Sequence, residues 1–152
     1  MMSDESNDRA LGSLQRTMVE EFGNIYEGYG LRRLKGLIIG LLLVRDEPVS
    51  LDDMTVMLGR SKGPISMEVR ELAGLGLIRK VSGPEHRRDY YEAHEDIFFM
   101  NFKFNLITVK KNRATAEQFL ERMRSAEGGE YEGTLRNLEK MRAFYALMES
   151  FY

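Results

Sequence analysis

The stretch from Pro48 to Ala93 constrains the fold of this chain more than any other, because it contains two short helical patterns followed at once by a hairpin. Ser50 is a candidate N-cap, and Asp53, three residues later, completes the spacing of a capping box. Gly59 follows the last apolar residue of this pattern, at a position that favours a left-handed backbone conformation. The first helix is therefore predicted to begin after Ser50 and to end at Gly59.

A second helix is predicted to begin within a few residues. Ser61 is a candidate N-cap, and Pro64 lies in the first turn, where its missing N–H breaks no intrahelical hydrogen bond. The buried stripe of this helix is predicted to be Ile65, Val69 and Leu72. Small, polar and basic residues form the opposite face, which comprises Lys62, Gly63, Pro64, Ser66, Met67 and Arg70. Such a face can approach a DNA groove, because recognition helices present their N-terminal residues to base edges while N–H groups and basic side chains hold phosphates.

A basic hairpin follows. Gly74 and Gly76 break the helix, Leu77–Val81 is predicted as a half-exposed strand, and Asp89–Ala93 as the returning strand. The segment between them, Ser82–Arg88, starts with turn residues. Its tip carries His86, Arg87 and Arg88. The arginines can follow phosphates or enter a narrow minor groove, and the imidazole gains charge as the pH falls. Two helices followed by such a hairpin are the outline of a winged helix.

The order of these elements predicts a mainly α (α+β) fold, a winged helix-turn-helix with a two-stranded wing, that binds double-stranded DNA. The residues predicted to contact DNA are Arg60, Ser61, Lys62, Gly63, Pro64, Ser66, Met67, Arg70, His86, Arg87 and Arg88. Helix-turn-helix pairs also occur in proteins that bind only proteins. A winged-helix interaction module in a larger transcription assembly is therefore the alternative, although the complete series of elements favours DNA.

Three segments resemble the GbsR-like branch of the MarR-type transcriptional regulators, and they are Gly59–Leu72, Gly76–Val81 and Arg88–Ala93. The resemblance is close from Leu31 to about Ala93. Its most specific parts are the Ser-Lys-Gly run that opens the second helix and the Asp-Tyr-Tyr-Glu run after the wing. The resemblance implies a homodimeric, cytoplasmic repressor or activator that binds DNA and in some cases responds to a small molecule.

Two positions depart from the family pattern. Pro64 stands where such proteins often carry Asn, and this removes a hydrogen-bond donor. His86-Arg87 stands where the wing usually has Asp-Arg, which predicts the loss of an acidic partner that would orient the wing arginine. The operator sequence therefore does not follow from the resemblance.

Composition limits the other possibilities. The 152 residues, 43% of them hydrophobic, suffice for one core with a helical extension. The absence of cysteine excludes disulfides and thiolate chemistry. The two histidines, His86 and His94, have neither a nearby nucleophile nor a partner at metal-ligand spacing. We therefore expect neither an enzyme nor a metal or cofactor site.

Charge is unevenly distributed along the chain. The formal net charge is −2, yet Leu31–His94 carries a net +2 and residues 1–30 a net −4. A modestly positive segment suits a regulator that releases nonspecific DNA readily, although an ordinary solvated surface has the same pattern. The longest apolar run, Leu37–Val44, is shorter than the roughly 18 to 20 residues that cross a bilayer, and Met1–Asp8 lacks the features of a signal peptide. We expect the apolar run to form a buried helix and residues 1–8 to be disordered. We also expect a cytoplasmic location and no membrane contact.

Apolar residues recur at helical intervals on both sides of the winged helix of residues 31–94. The N-terminal stripe, within residues 9–30, is Leu11, Leu14, Met18, Phe22, Ile25 and Tyr29. Within residues 95–152, a long helix over Ile97–Met123 is predicted to end at Gly128-Gly129. A last stripe follows at Tyr131, Leu135, Leu138, Met141, Tyr145, Met148 and Tyr152. We predict that these flanking helices form a homodimer, which implies a pseudo-palindromic DNA site; packing within one monomer is the alternative.

Aromatic residues concentrate where the winged helix meets the predicted dimerisation helices. They are Tyr26, Tyr29, Phe98, Phe99 and Phe102. An aromatic pocket can hold a quaternary ammonium group by cation–π attraction, a chemistry that the resemblance to osmolyte-responsive regulators also suggests. Aromatic residues at helical spacing are more often plain core. A small-molecule effector site at these residues is therefore a hypothesis.

Overall fold

The computed structural model describes residues 10–126 and 129–152, so the predicted disordered segment of residues 1–8 lies outside the described part. The chain divides into two units, residues 1–97 and 98–152. The elements of the first unit are α1 (Ser13–Gly28), α2 (Arg33–Val44), β1 (Val49–Ser50), α3 (Leu51–Leu58), α4 (Lys62–Gly74), β2 (Ile78–Val81) and β3 (Tyr90–Ala93). Helix α5 (Ile97–Ser125) begins at the last residue of this unit, and α6 (Glu132–Glu149) completes the second.

Helices α1 and α2 pack closely because glycines face the contact. A Cβ atom at Gly36 would lie 2.3 Å from the carbonyl oxygen of Phe22, and one at Gly23 would lie 2.9 Å from a methyl group of Leu37. At Gly36 the obstacle is backbone, so this position leaves no room for a side chain. Residues 36–42 of α2 are buried without interruption, which confirms the buried helix predicted for the apolar run.

The apolar stripe predicted for α1 packs on α2 only in part, through Phe22, which lies against Gly36 and Gly40. Val19 and Gly23 are the buried residues of this helix, and Leu11, just before it, is buried as well. Most members of the stripe stay exposed, namely Leu14, Met18, Ile25 and Tyr29. The rest of the stripe therefore remains on the surface of the described chain.

The helix-turn-helix is formed as predicted. The N–H of Asp53 donates to Ser50 Oγ at 3.1 Å at the start of α3, and Gly59 ends this helix with a φ of 61°. The predicted stripe of α4 is buried, namely Ile65, Val69 and Leu72. After α4, Gly76 has a φ of 74° and the N–H of Leu77 donates back to the carbonyl of Leu72 at 3.1 Å, a Schellman-type end. These local signals place both helices.

The sheet has three strands rather than the two predicted. Its order is β1-β3-β2, and both pairings are antiparallel. In the wing hairpin Ile78 faces Ala93 and Val81 faces Tyr90. The additional strand β1 is only two residues long, which is too short to show an alternating pattern, and its partner β3 lies about 40 residues further along the chain. The prediction of a two-stranded wing was therefore incomplete.

In the second unit, two ion pairs connect the long helix α5 to α6. Arg113 Nη1 lies 2.6 Å from Glu149 Oε2, and Arg124 pairs with Glu139. Because the later partner on α5 meets the earlier one on α6, the helices run antiparallel. Helix α5 ends at Ser125; of the predicted Gly128-Gly129 terminator, Gly128 lies outside the described residues. None of the side chains of α6 is buried, and its predicted stripe is at most half-buried.

Candidate nucleic-acid interface

The N-terminal part of α4 presents an open face to solvent. The side chains of Arg60, Lys62, Met67 and Arg70 are exposed, as are Ser61, Gly63 and Pro64, and Ser66 is half-buried. A Cβ atom at Gly63 would meet nothing within 4 Å. The backbone of the first turn is therefore accessible to a large partner, which agrees with the face predicted from the sequence.

Ser61 occupies the N-cap position but its side chain makes no cap hydrogen bond. The first turn of a helix carries N–H groups that have no intrahelical acceptor. Pro64 supplies none of them, so the available donors in this turn are the N–H groups of Lys62 and Gly63. Their direction and the positive end of the helix dipole suit an anionic oxygen such as that of a phosphate.

The wing is held in shape by Tyr90, a residue that sequence reasoning did not single out. Its ring covers Gly83 so closely that a Cβ atom there would lie 2.2 Å from the ring, and the N–H of Glu85 donates to the Tyr90 hydroxyl at 3.4 Å. The tip of the hairpin is thus folded over a buried aromatic side chain. Gly83 and Tyr90 are seven positions apart and meet only when the hairpin closes, so no local pattern in the sequence predicts this contact.

Carboxylates on the same surface pair with four of its cations. Lys62 Nζ lies 3.4 Å from Asp52, and Arg79 Nε lies 2.6 Å from Glu92. The other two pairs lie nearer the tip of the wing and are Lys80–Asp89 at 2.9 Å and Arg88–Glu85 at 2.7 Å. The hydrogen bond to Asp89, reinforced by its charge, raises the pKa of Lys80. All four pairs are solvent-exposed, so each is weak and phosphate groups can replace the carboxylates.

Three arginines of this surface have no ion pair with a residue that the structure describes. They are Arg60 in the turn before α4, Arg70 on the exposed face of α4, and Arg87 at the tip of the wing. Their charges are therefore not neutralised within the described chain. The surface thus contains two kinds of cation. The four paired ones must exchange a carboxylate for a phosphate when DNA binds, whereas the three arginines can bind a phosphate without breaking a described ion pair.

His86 was expected to leave the wing arginine, Arg87, without an acidic partner, and Arg87 has no ion pair with a described residue. The acid at the wing tip is instead Glu85, whose Oε2 lies 2.7 Å from Arg88 Nε. The acid therefore acts on the second arginine of the pair, and Arg87 is the one that extends without a described partner. His86 is exposed beside them.

The five aromatic residues of the effector hypothesis fall in different units. Tyr26 is half-buried on α1 and Tyr29 is exposed just after it, while Phe98, Phe99 and Phe102 are exposed in the first turns of α5. Lys103 Nζ lies 5.5 Å from the ring centroid of Phe99, a cation–π distance. Since the structure describes the two units separately, a common pocket for these residues stays a prediction.

Two general features of the described residues bear on function. Residues 10–126 and 129–152 contain no group of three or more His, Asp or Glu side chains arranged to hold a metal ion. None of the helices in these ranges is long and apolar enough to cross a membrane.

Several known proteins are similar to this chain, although no family model matches it. The regulator MmpR5 of Mycobacterium tuberculosis, described as an HTH-type transcriptional regulator, is 29% identical over 87% of this chain and 78% of its own length. The HTH-type transcriptional repressor GbsR of Bacillus subtilis is 27% identical over 66% of this chain, which spans 57% of that protein. A crystal structure of a transcriptional regulator superposes with a TM-score of 0.71 and 28% identity, covering 90% of this chain and 91% of that one.

These similarities agree with the geometry. The matched length in MmpR5 and in the solved structure extends well beyond the winged helix, so the flanking helices take part in the likeness. The capped helix pair, the open face of α4 and the basic hairpin are the parts by which such regulators contact DNA. The fold and these comparisons together make this chain similar to helix-turn-helix transcriptional regulators, among them MmpR5 and the repressor GbsR.

Proposed function

We propose that this regulator binds a specific sequence of double-stranded DNA as a homodimer. Lys62, Ser66, Met67 and Arg70 of α4 enter the major groove, and Arg87 and Arg88 of the wing contact the adjacent backbone or minor groove. The observation that carries this proposal is the distribution of unpaired cations, because Arg60, Arg70 and Arg87 all lie on the turn, the helix face and the wing tip that a winged helix directs at DNA.

Different residues have different tasks in this proposal. Arg70 and Ser66 lie on the exposed side of α4, where side chains reach base edges and set sequence preference. The N–H groups of Lys62 and Gly63, with Arg60 and Ser61 beside them, hold a phosphate at the helix N-terminus. Arg87 and Arg88, with His86 beside them, contact the DNA from the wing, and the contribution of the two arginine charges is independent of sequence.

Dimerisation is proposed to involve residues 9–30 and 95–152. The support comes from the apolar side chains that these segments leave exposed, among them Leu14, Phe144 and Leu147. Two-fold symmetry would then set two copies of α4 about 34 Å apart, one turn of DNA. A protein that regulates transcription in this way acts where the DNA is, which corresponds to the cytoplasmic location predicted from the sequence, and it acts by binding rather than by catalysis.

A small-molecule effector remains part of the proposal only as a hypothesis. Tyr26, Tyr29, Phe98, Phe99 and Phe102 supply aromatic faces that suit a quaternary ammonium group. Calorimetric titration of the dimer with choline and with glycine betaine tests this. Saturable heat that is lost in Tyr29→Ala supports the assignment, and an absence of heat removes both ligands.

Selection of genomic fragments by the purified protein at near-physiological salt, followed by footprinting, tests the proposed function. We expect enrichment of an inverted repeat with half-sites about one DNA turn apart. Arg70→Ala should change the selected sequence, whereas Arg136→Ala, an exposed arginine of α6, should leave it unchanged. The absence of any enriched site would instead favour the protein-interaction module.

A further inference from the structure

Glu68 is a buried carboxylate in the middle of α4. Its side chain is 1% exposed and lies within the apolar stripe of the helix, a position where an ionised group is rare unless it is paired. Arg32 Nη1 donates to Glu68 Oε1 at 3.0 Å, and Lys35 Nζ lies 3.8 Å from Oε2. A charged group thus replaces the apolar side chain that the helical pattern would otherwise place there.

Both cations come from outside α4. Arg32 is the N-cap residue of α2, and Lys35 lies in the first turn of that helix. Lys35 Nζ also lies 3.0 Å from Oε1 of Glu71, one helical turn after Glu68. One ammonium group therefore bridges two carboxylates, and α4 is connected to the start of α2 at two points along its length.

These contacts are poorly explained by stability alone. Burial of a carboxylate has a desolvation penalty, and an apolar residue of similar size at such a position is often as stable or more stable. Glu68 Oε2 accepts no hydrogen bond from a described residue, so even the existing pair is incompletely satisfied. The pair nevertheless differs from apolar packing in one respect, since charged hydrogen bonds are directional whereas hydrophobic contacts are not.

We propose that Glu68 is a positioning residue that fixes the rotation of α4 about its own axis. The contacts with Arg32 and Lys35 determine the direction in which Ser66 and Arg70 leave the helix. The inference rests on the proposed function of α4 as the recognition helix. Base contacts need defined geometry, while phosphate contacts tolerate small rotations because charge attraction is weakly directional. Loss of the pair therefore reduces discrimination between DNA sequences more than it reduces binding to DNA in general.

The full-length variant Glu68→Met tests this inference. Affinities are measured at one salt concentration for the site selected by the wild-type protein and for an unrelated duplex of equal length. We expect a melting temperature near or above that of the wild type, a fall of at least tenfold in the ratio of the two affinities, and no loss of affinity for the unrelated duplex. Leu72→Met, at a fully buried apolar position of the same helix, is the matched control and should keep the ratio.

Arg32→Gln removes the exposed partner of Glu68 and tests the same inference. It also keeps the inference testable if Glu68→Met does not fold. A fall in the ratio supports positioning. If Arg32 served only to hold a phosphate, both affinities would fall together and the ratio would stay constant, which overturns the inference. If Glu68→Met folds and its ratio of the two affinities equals that of the wild type, the inference is overturned as well. When the wild type selects a site and the variants discriminate normally, only the positioning role fails; when the wild type selects none, the proposed function fails and the positioning role with it.

Discussion

The two wing arginines differ in what surrounds them, and this difference predicts unequal roles. Arg87 has no ion pair with a described residue, whereas Arg88 Nε lies 2.7 Å from Glu85. Each phosphate contact contributes about 0.9 to the slope of log affinity against log salt. We expect Arg87→Ala to lower this slope by about one on any duplex, and Arg88→Ala to lower it by less, because the charge of Arg88 is already partly neutralised. Binding to a nonspecific duplex is measured between about 50 and 200 mM salt, a range over which affinity falls steeply when phosphates are contacted. A larger effect of Arg88→Ala than of Arg87→Ala would contradict the assignment.

Replacement of a carboxylate that pairs with a wing cation is predicted to change the salt dependence in the opposite direction. Asp89 holds Lys80 at 2.9 Å on the wing, so Asp89→Asn releases this ammonium and removes a negative charge near the DNA. We expect tighter nonspecific binding and a slope steeper by up to about one, by the same release of counterions. Filter binding at several salt concentrations measures the effect. Glu121→Gln, an exposed carboxylate on α5, is the control for overall charge, and an equal gain in both variants would show that the local pair has no role.

Residue-scale features were predictable from the sequence only in part. The exposed face of α4 and the basic tip of the wing followed from helical period and turn chemistry, which are local. The ion-pair partner of each cation could not be predicted in this way. The Lys80–Asp89 pair depends on the register of the hairpin, and the Lys62–Asp52 pair depends on how α3 and α4 pack. Glu68 was missed for the same reason, since its partner Arg32 lies 36 positions away.

At the scale of elements, the contact between α1 and α2 depends on glycine. A Cβ atom at Gly36 would lie 2.3 Å from a backbone oxygen that cannot move without shifting α1. We expect Gly36→Ala to lower the free energy of unfolding by about 1–3 kcal/mol, the usual range for overpacking. Gly28→Ala at the end of α1 meets nothing within 4 Å and should raise it by about 0.5–1 kcal/mol. Urea denaturation of the two variants measures the difference, and equal effects would contradict the close packing.

The helix pair of the second unit predicts a pH dependence. Hydrogen bonds from Arg142 and Arg124, with their positive charges, lower the pKa of Glu139 below its usual value of 4.5. A carboxylate with a lowered folded-state pKa stabilises the fold above its unfolded pKa, and this contribution is lost as the pH falls through the folded-state value. The melting temperature of the wild type should therefore exceed that of Glu139→Gln at pH 7, and the difference should shrink below about pH 4.5. A difference independent of pH from 7 to 3 would exclude this cluster as its source.

Element boundaries show why local signals succeed where tertiary ones fail. Ser50, Gly59 and Gly76 mark helix ends through their own backbone and side-chain chemistry, and all three lie where the sequence predicts. Strand β1 has no such signal, because its two residues become a strand only by pairing with β3. Most of the apolar stripe of α1 stays exposed in the described chain, so its predicted place in a dimer stays a prediction.

At the scale of the molecule, the exposed apolar side chains of the flanking helices are the strongest argument for a dimer. Leu14 on α1 is 84% exposed, and Leu147 on α6 is 57% exposed. Burial of one leucine contributes about 1.5–3 kcal/mol, and a two-fold interface contains two copies of each residue. If Leu147 lies in the interface, Leu147→Ser raises the dimer dissociation constant by more than about a hundredfold, by the relation of 1.4 kcal/mol per factor of ten.

Sedimentation over a range of concentrations distinguishes this dimer from packing within a monomer. Leu147→Ser should dissociate at concentrations where the wild type is dimeric, and it should lose affinity for a full inverted repeat while keeping its affinity for a single half-site. Val56→Ser is the matched control, because Val56 is 68% exposed on α3, outside the flanking helices; it should stay dimeric. If the dimer survives in Leu147→Ser and also in Leu14→Ser, the interface does not include these exposed leucines of the flanking segments. The argument that the exposed apolar side chains of these segments set the spacing of the two recognition helices would then fail.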